Sequence, residues 1–551
     1  MKLNRITSLL MLSCLPLLAD AASYDIVELP TKELSVNQFG SVIDNTGQML
    51  ITITRPFNLP IDRSLLDLSR FTFSDPDAAA AGNFNIVDYT LVVSNLLDNT
   101  TNNAFIGQKL SSQLVYKTDG NDFSYVNGFD TETDGTDGFT FAQTGRVADA
   151  VNGTHIVGTM AGKINQIPYT NAADESVTFT INDFTNRAFV QVGEKVVGLV
   201  PDAMRAGGFS SAAAINDNLQ VAGTMGISIS EGLETAITSC SDPDVRGDIP
   251  IEACLFALRT TGQFSSGTAR RAVVWQVDAN GELIDKTIYG LPFTPSAEIT
   301  GTLSTQATDI NNSGVAVGNT AVEVGSVFSV GAAIFENGVT TRLLDDNDLL
   351  PNFASGINNN GYAVGYQSIR VSRTVSTNRL FTVDTNTGES SFTDGFFNRS
   401  STTPRAINNN NVVVGNADSE GGQGQRSQSG FIYDIDANTF TNVNSLVACN
   451  SEYDIVALND INDSGEIIGD AVVRRPARDA RGNEVKDGDG NFVLVDVVVA
   501  VKLEPTGAPP SECEPSEEEA ALAERQGASA GILTVFGLLV ISLFRRSKKF
   551  A

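Results

Sequence analysis

Between residues 24 and 505 the chain is built from short runs in which Val, Ile, Phe, Leu or Ala alternate with Thr, Ser, Asn or Arg, and clusters of Asn, Asp and Gly separate the runs. A period of two rich in β-branched and aromatic residues predicts half-buried strands, and the polar clusters predict tight turns. One word recurs. ATDINNSGVAVGNT at 307–320 returns as ASGINNNGYAVGYQ at 354–367, RAINNNNVVVGNA at 405–417 and NDINDSGEIIGDA at 459–471. Upstream stand AAAINDNLQVAGT at 212–224, ADAVNGTHIVGT at 148–159 and a looser SVIDNTGQMLI at 41–51, which makes seven copies.

Each copy reads as a hairpin. Ile215, Ile310, Ile357, Ile407 and Ile461 hold an inward position, and the next residue (Asn216, Asn311, Asn358, Asn408, Asn462) can bond its side chain to backbone two residues on. Gly314, Gly361 and Gly465 supply positive φ, Asn411 substitutes for such a glycine, and Leu219 marks a degenerate copy. The trailing glycines 158, 223, 318, 365, 415 and 469 are 65, 95, 47, 50 and 54 residues apart, and the last three gaps match one four-stranded propeller blade. The long gap implies an insertion at 225–268, and the region between Ile51 and Val147 has room for one further unit. A second theme, AVVWQVDANGEL, AAIFENGVTTRL, RLFTVDTNTGES, GFIYDIDANTFT and RAFVQVGEKVVGL, supplies two more strands per unit.

The expected fold is therefore all-β: a propeller of about seven four-stranded blades over 22–505, with six or eight as neighbours and an open β-solenoid as the alternative. YDIVELP near the start and FVLVDVVVAVKLEP near the end are both strand-like, and pairing them in one blade would remove exposed edges.

The ends change the picture from fold to address. Lys2 and Arg5 precede an apolar core and Ala19-Asp20-Ala21, the pattern of a secretory signal peptide (1–21) cut after Ala21. Residues 506–526 are a Pro/Glu-rich linker, 527–544 are uncharged and suited to a transmembrane helix, and 545–551 form a basic cytoplasmic tail. Four cysteines remain after the leader. An even count in an exported chain favours two disulfides, with the local pairing Cys240–Cys254 and Cys449–Cys513 foremost among three connectivities.

Charge and candidate chemistry mostly exclude. A net charge of -29 repels nucleic acid. The single histidine, His155, lies in a repeat copy, and no zincin, phosphate-loop or C-x-x-C motif is present, so no cofactor is expected. Asp487, Asp489 and Asn491 in KDGDGNFV are a weak calcium candidate that reads first as a hairpin turn. Asp130, Asp134 and Asp137 in DTETDGTDGF read as a solvated loop, with calcium second. Arg246-Gly247-Asp248 falls inside the Cys240–Cys254 loop, where an integrin-like tip is conceivable. Paired carboxylates in a central channel would be the route to a secreted carbohydrate-active or other non-histidine enzyme.

Two resemblances follow from these residues. Gly527, Ala528 and Ser529, the apolar helix and Arg545-Arg546 resemble the GlyGly-CTERM sorting signal of Gram-negative bacteria, with Gly-Ala-Ser where a glycine pair is usual. That resemblance implies cutting by a rhomboid-like protease and delivery to the cell surface, a permanent single-span anchor being the alternative. The I-N-x-x-G hairpins over nearly all of 24–505 resemble the HAF-type extracellular repeat, and the whole resembles a family of exported gammaproteobacterial proteins that join such repeats to this tail. Together they imply an exported, surface-associated module that binds a protein or glycan, with the carboxylate enzyme as the competing expectation.

Overall fold

The computed structural model describes residues 23–510 apart from 31–32, 98–104, 133–137, 296–301, 325–326, 345–349, 373–374 and 421–425. The predicted strands assemble into seven antiparallel four-stranded sheets and one extra two-stranded hairpin. Numbered along the chain, the inner and second strands are Ser35–Ile43 and Met49–Pro56 in blade 1, Gly145–Val151 and His155–Met160 in blade 2, and Ser210–Ile215 and Gln220–Ile229 in blade 3. Blades 4, 5 and 6 begin with Thr305–Ile310, Asn352–Ile357 and Thr402–Ile407. Blade 7 holds Asp454–Ile461, Ile467–Pro476 and Leu494–Pro505, and its outermost strand is the N-terminal Tyr24–Glu28.

That last pairing closes the ring. Tyr24 stands opposite Pro505 and Glu28 opposite Val501, as the two strand-like ends predict. Ion pairs reinforce it, since Arg475 reaches Glu28 at 2.9 Å and Glu452 at 2.8 Å, and the Tyr453 hydroxyl donates to Glu28 at 2.7 Å. Each of the seven copies of the repeat word is the inner hairpin of one blade. Among the described residues the region between Ile51 and Val147 holds no further unit: it contains the second and outer strands of blade 1 with a helical insertion that includes Ile86–Leu97.

The trailing glycine has a steric cause. In every blade the inner strand carries a β-bulge, for example between Ala307 and Asp309 in blade 4 and between Ala354 and Gly356 in blade 5. The glycine sits opposite, and a Cβ on Gly318 would lie 2.0 Å from the Gln306 carbonyl oxygen, one on Gly365 2.1 Å from that of Phe353. Against Gly223, Gly365 and Gly415 packs a large buried side chain of the third strand, Trp275, Phe381 or Phe431, each essentially inaccessible. Blade 2 shifts the pattern: Ala150, not Val151, occupies the place of Ile310, because Asp149 faces Val157 as Asp309 faces Val317.

Candidate functional site

The turns of the repeat word gather at one end of the channel, and their side chains link the blades. Asn311 accepts from the backbone N–H of Ser313 and Val315 through Oδ1, which shapes its own turn, while its Nδ2 donates to the Asn358 carbonyl at 3.2 Å. The same donation runs from Asn216 to Asn311 (2.8 Å), Asn358 to Asn408 (3.0 Å), Asn408 to Asn462 (3.0 Å) and Asn462 to Asp44 (3.2 Å). Asp44 then accepts from the Gly153 N–H at 2.7 Å. A second belt lies outside it: the backbone N–H groups of Asp217, Asn312, Asn359, Asn409 and Asp463 donate to the side chains of Asn312, Asn359, Asn409, Asp463 and Asn45. The I-N-N word is thus the sequence of an inter-blade fastening, satisfying buried amides that would otherwise cost about 1–3 kcal/mol each.

The belts frame a channel cavity of 260 Å³ whose lining includes the bulge residues Ser41, Thr308, Ser355, Arg405 and Asn459 and the carboxylates of Asp149, Asp309 and Asp460. Each of these acids accepts two backbone N–H groups, one from the next residue in its own blade and one from the following blade. The inter-blade donors are Ile215, Ile357 and Ile43, at 2.8, 2.7 and 2.9 Å. Burial nevertheless dominates: Asp309 and Asp460 are pushed up to about 7, and the charges of Asp460 and Asp309 add to burial in holding Asp149 well above the usual carboxylate range. Asp470, burial again foremost, is raised to about 6. Among the described residues no group of three or more His, Cys, Asp or Glu is arranged to hold a metal ion.

The opposite end of the ring carries the turns between second and third strands, and four of these are long. They leave adjacent blades: 57–112 from blade 1, 161–186 from blade 2, 230–267 from blade 3 and 477–493 from blade 7. They fuse into one shoulder. Arg481 donates to the Phe84 carbonyl at 3.0 Å and lies 4.1 Å from the Tyr89 ring centre, and the Thr180 N–H donates to Phe105 at 2.6 Å. Phe105 also meets Phe256 edge-on, and Arg259 donates to the Asn182 carbonyl. Blades 4, 5 and 6 make the same connection within residues 325–326, 371–375 and 419–427.

The residues singled out in the sequence fall as follows. Cys240 and Cys254 are disulfide-bonded within the third insertion, as the local pairing predicts, and this insertion runs from 230 to 267. Cys449 is also disulfide-bonded; Cys513, its expected partner, lies outside the described residues. So do Ala21, Gly527, Ala528, Ser529, Arg545 and Arg546 with the leader and tail, as well as Asp134 and Asp137. Arg246-Gly247-Asp248 is not a free tip. Asp248 accepts from the Tyr169 hydroxyl at 3.0 Å and the Ala172 N–H at 2.8 Å, and Arg246 donates to the Ile249 carbonyl at 3.0 Å, so both charged groups serve contacts inside the shoulder. Asp130 is likewise no solvated loop residue: it is half-buried and accepts from Tyr125 and Thr140. Asp487 accepts from the N–H groups of Asp489 and Asn491 and shapes a hairpin turn. His155 is a buried strand residue with Nδ1 2.9 Å from the Thr154 hydroxyl.

The hairpin pattern alone does not mark the channel acids, although Asp309-Ile310 and Asp460-Ile461 carry a signal: a carboxylate just ahead of the inward isoleucine. Asp149 hides because blade 2 lacks that isoleucine.

A closed ring of seven four-stranded blades, sealed by its own two ends and fastened by asparagine belts, defines a seven-bladed β-propeller. The chain belongs to the family of proteins of unknown function DUF3466, whose model matches residues 2–547. No curated protein matches it. Similar solved structures include the β-propeller domain of the Trilobed protease from Pyrococcus furiosus, at 10% identity and TM-score 0.34, covering 70% of this chain and 86% of that one. The tricorn protease (12%, TM-score 0.29, 66% and 34%) and a Mycobacterium tuberculosis puromycin-hydrolyzing peptidase (9%, TM-score 0.36, 91% and 57%) are others. The chain spans about a third and just over half of those last two, and none of these likenesses bears on activity.

Proposed function

We propose that this protein is an exported binding module, held at or delivered to the cell surface through its C-terminal segment, whose recognition face is the end of the propeller that carries the insertions. One observation carries the reading. The chain enters at Tyr24 and leaves at Pro505 side by side at the asparagine-belt end, with the Ser23 N–H donating to the Ala508 carbonyl at 2.8 Å, while every long insertion projects from the other end. A propeller tethered by its C-terminal segment therefore turns the insertion shoulder away from its anchor. Long loops on a rigid ring are where binding surface concentrates. The disulfide in the shoulder fits an oxidising compartment.

The test is fractionation of producing cells, intact-mass measurement and binding of the mature protein to isolated envelope material. The reading expects a chain that begins at Ala22, found on the surface, that binds envelope material and loses this binding when 230–267 is replaced by a short turn. A chain recovered from the cytoplasm with Met1 intact overturns it.

The convergence of Asp149, Asp309 and Asp460 on the channel favours a second reading, a carbohydrate-active enzyme working there. Each of these carboxylates already accepts two backbone N–H groups. Polysaccharide cleavage by the mature protein that disappears in Asp309→Asn with the fold intact would establish the enzyme; no cleavage leaves the acids as ring fasteners.

A further inference from the structure

The insertion-bearing end holds a feature at odds with the rest of the chain. Between blades 5 and 6 lies a pocket of 370 Å³ lined by Arg370, Arg379, Arg399 and a single carboxylate, Asp394, in a protein of net charge -29. Arg379 pairs with Asp394 at 3.1 Å, whereas Arg370 and Arg399 are exposed and form no ion pair among the described residues. The three guanidiniums come from different segments: Arg370 ends the second strand of blade 5, Arg379 lies in the third strand, Ser376–Asp384, and Arg399 sits in the connection to blade 6. Arg399 adopts φ of 68°, a left-handed conformation that a long side chain rarely takes. Such outliers gather where a ligand site over-determines the backbone.

We infer that this pocket binds an acidic glycan, through arginine contacts to its carboxylates and amide contacts to its hydroxyls. The inference rests on the reading of this end as the recognition face. Unpaired arginines select an anion. Asn378 and Asn398 supply polar groups suited to hydroxyls, and Phe392, 37% exposed with the Arg379 guanidinium 5.4 Å from its ring centre, offers a flat apolar face beside the pocket. The volume falls in the roughly 300–1,000 Å³ range of small-ligand sites and far exceeds what a lone phosphate or sulfate fills. The surrounding negative charge repels polyanions elsewhere on the molecule, which confines an acidic chain to this place.

The probe is trigalacturonate titrated into the full mature protein at low salt, with its methyl ester and inorganic phosphate as comparisons. The expected result is saturable binding that weakens at least tenfold in the methyl ester, weakens with added NaCl and is not displaced by phosphate. Arg399→Gly separates binding from folding, because glycine accepts φ of 68° without strain: its Tm should hold or rise while affinity falls several-fold, and Arg370→Gln should add to the loss. Phosphate displacing the sugar at equal concentration would make this a small-anion site and overturn the glycan assignment. Absence of trigalacturonate binding, or binding unchanged in both variants, overturns the inference itself. Envelope binding measured on the same preparation tells the failures apart: if that persists and still needs 230–267, the recognition face stands and only this pocket is reassigned.

Discussion

At the scale of the residue, the asparagine after the inward isoleucine does two things, and substitutions separate them. Asn311→Ala removes both the acceptor that shapes its turn and the donor that reaches Asn358, and should lower stability by about 2–4 kcal/mol. Asn311→Asp keeps the acceptor and loses the donor, as Asp44 does naturally in blade 1, and should cost about half as much. Equal losses in urea titrations of the two variants would mean that the inter-blade donor contributes nothing. The channel acids make a pH prediction. Asp309 and Asp460 have folded pKa values near 7 against about 4 when unfolded, so between those values the native state binds more protons than the unfolded one. Stability should therefore fall as pH rises from about 4 to 7 and stay low above it. The Tm at pH 5.5 should exceed that at pH 8, and Asp309→Asn should flatten the difference; a Tm that rises with pH over this range rules out that account.

At the scale of the element, the strands and the insertion expected at 225–268 were legible, and the insertions of blades 1, 2 and 7 were not. Alternation, I-N-x-x-G turns and the spacing of Gly318, Gly365, Gly415 and Gly469 encode blades 4–7 because each blade obeys the same three constraints: a bulge, a glycine opposite it and an amide to fasten the next blade. The first insertion carries no such repetition. Its helix Ile86–Leu97 is recognisable only through tertiary packing of Tyr89, Val92 and Leu96 under the shoulder. Leu219 looked like a broken copy, yet it takes φ of 58° at the place of Gly314, so the turn survives with the strain retained. The arginine pocket had no signal at all, since Arg370, Arg379 and Arg399 meet only through blade geometry. For the third insertion the disulfide sets the prediction. Its helices pack on a small cluster of Leu233, Ile237 and Phe264, and the 14-residue span closed by Cys240–Cys254 contributes roughly 3 kcal/mol on the loop-entropy model. Cys240→Ser with Cys254→Ser should open Arg246 and Arg259 to trypsin while the main thermal transition stays nearly unchanged. A large drop of that transition would show that the shoulder, not the ring alone, carries the fold.

At the scale of the whole molecule, the ring depends on a strand contributed by the far end of the chain. Tyr24–Glu28 covers the edge of the final strand over residues 501–505, and Leu29, 1% exposed, anchors it between blades 7 and 1, with its N–H donating to the Ala500 carbonyl at 3.0 Å. Deleting residues 24–30 removes a buried leucine worth about 2–5 kcal/mol, five ladder positions and one of the two carboxylate partners of Arg475. The exposed strand would then present unpaired N–H and C=O groups from Val501 to Pro505, beside Val501 and Leu503, an edge that recruits other chains. The deleted protein should melt well below the intact one and dimerise or precipitate at micromolar concentration. A synthetic peptide of residues 23–30 should reverse both effects by strand addition, saturating one peptide per chain. Rescue by that peptide and not by one with Glu28→Lys, which opposes Arg475, would show that closure is specific pairing and not mere burial of an apolar edge. A deleted protein that stays monomeric with an unchanged melt would mean that the asparagine belts and the shoulder across blades 7, 1, 2 and 3 hold the ring shut without its seam.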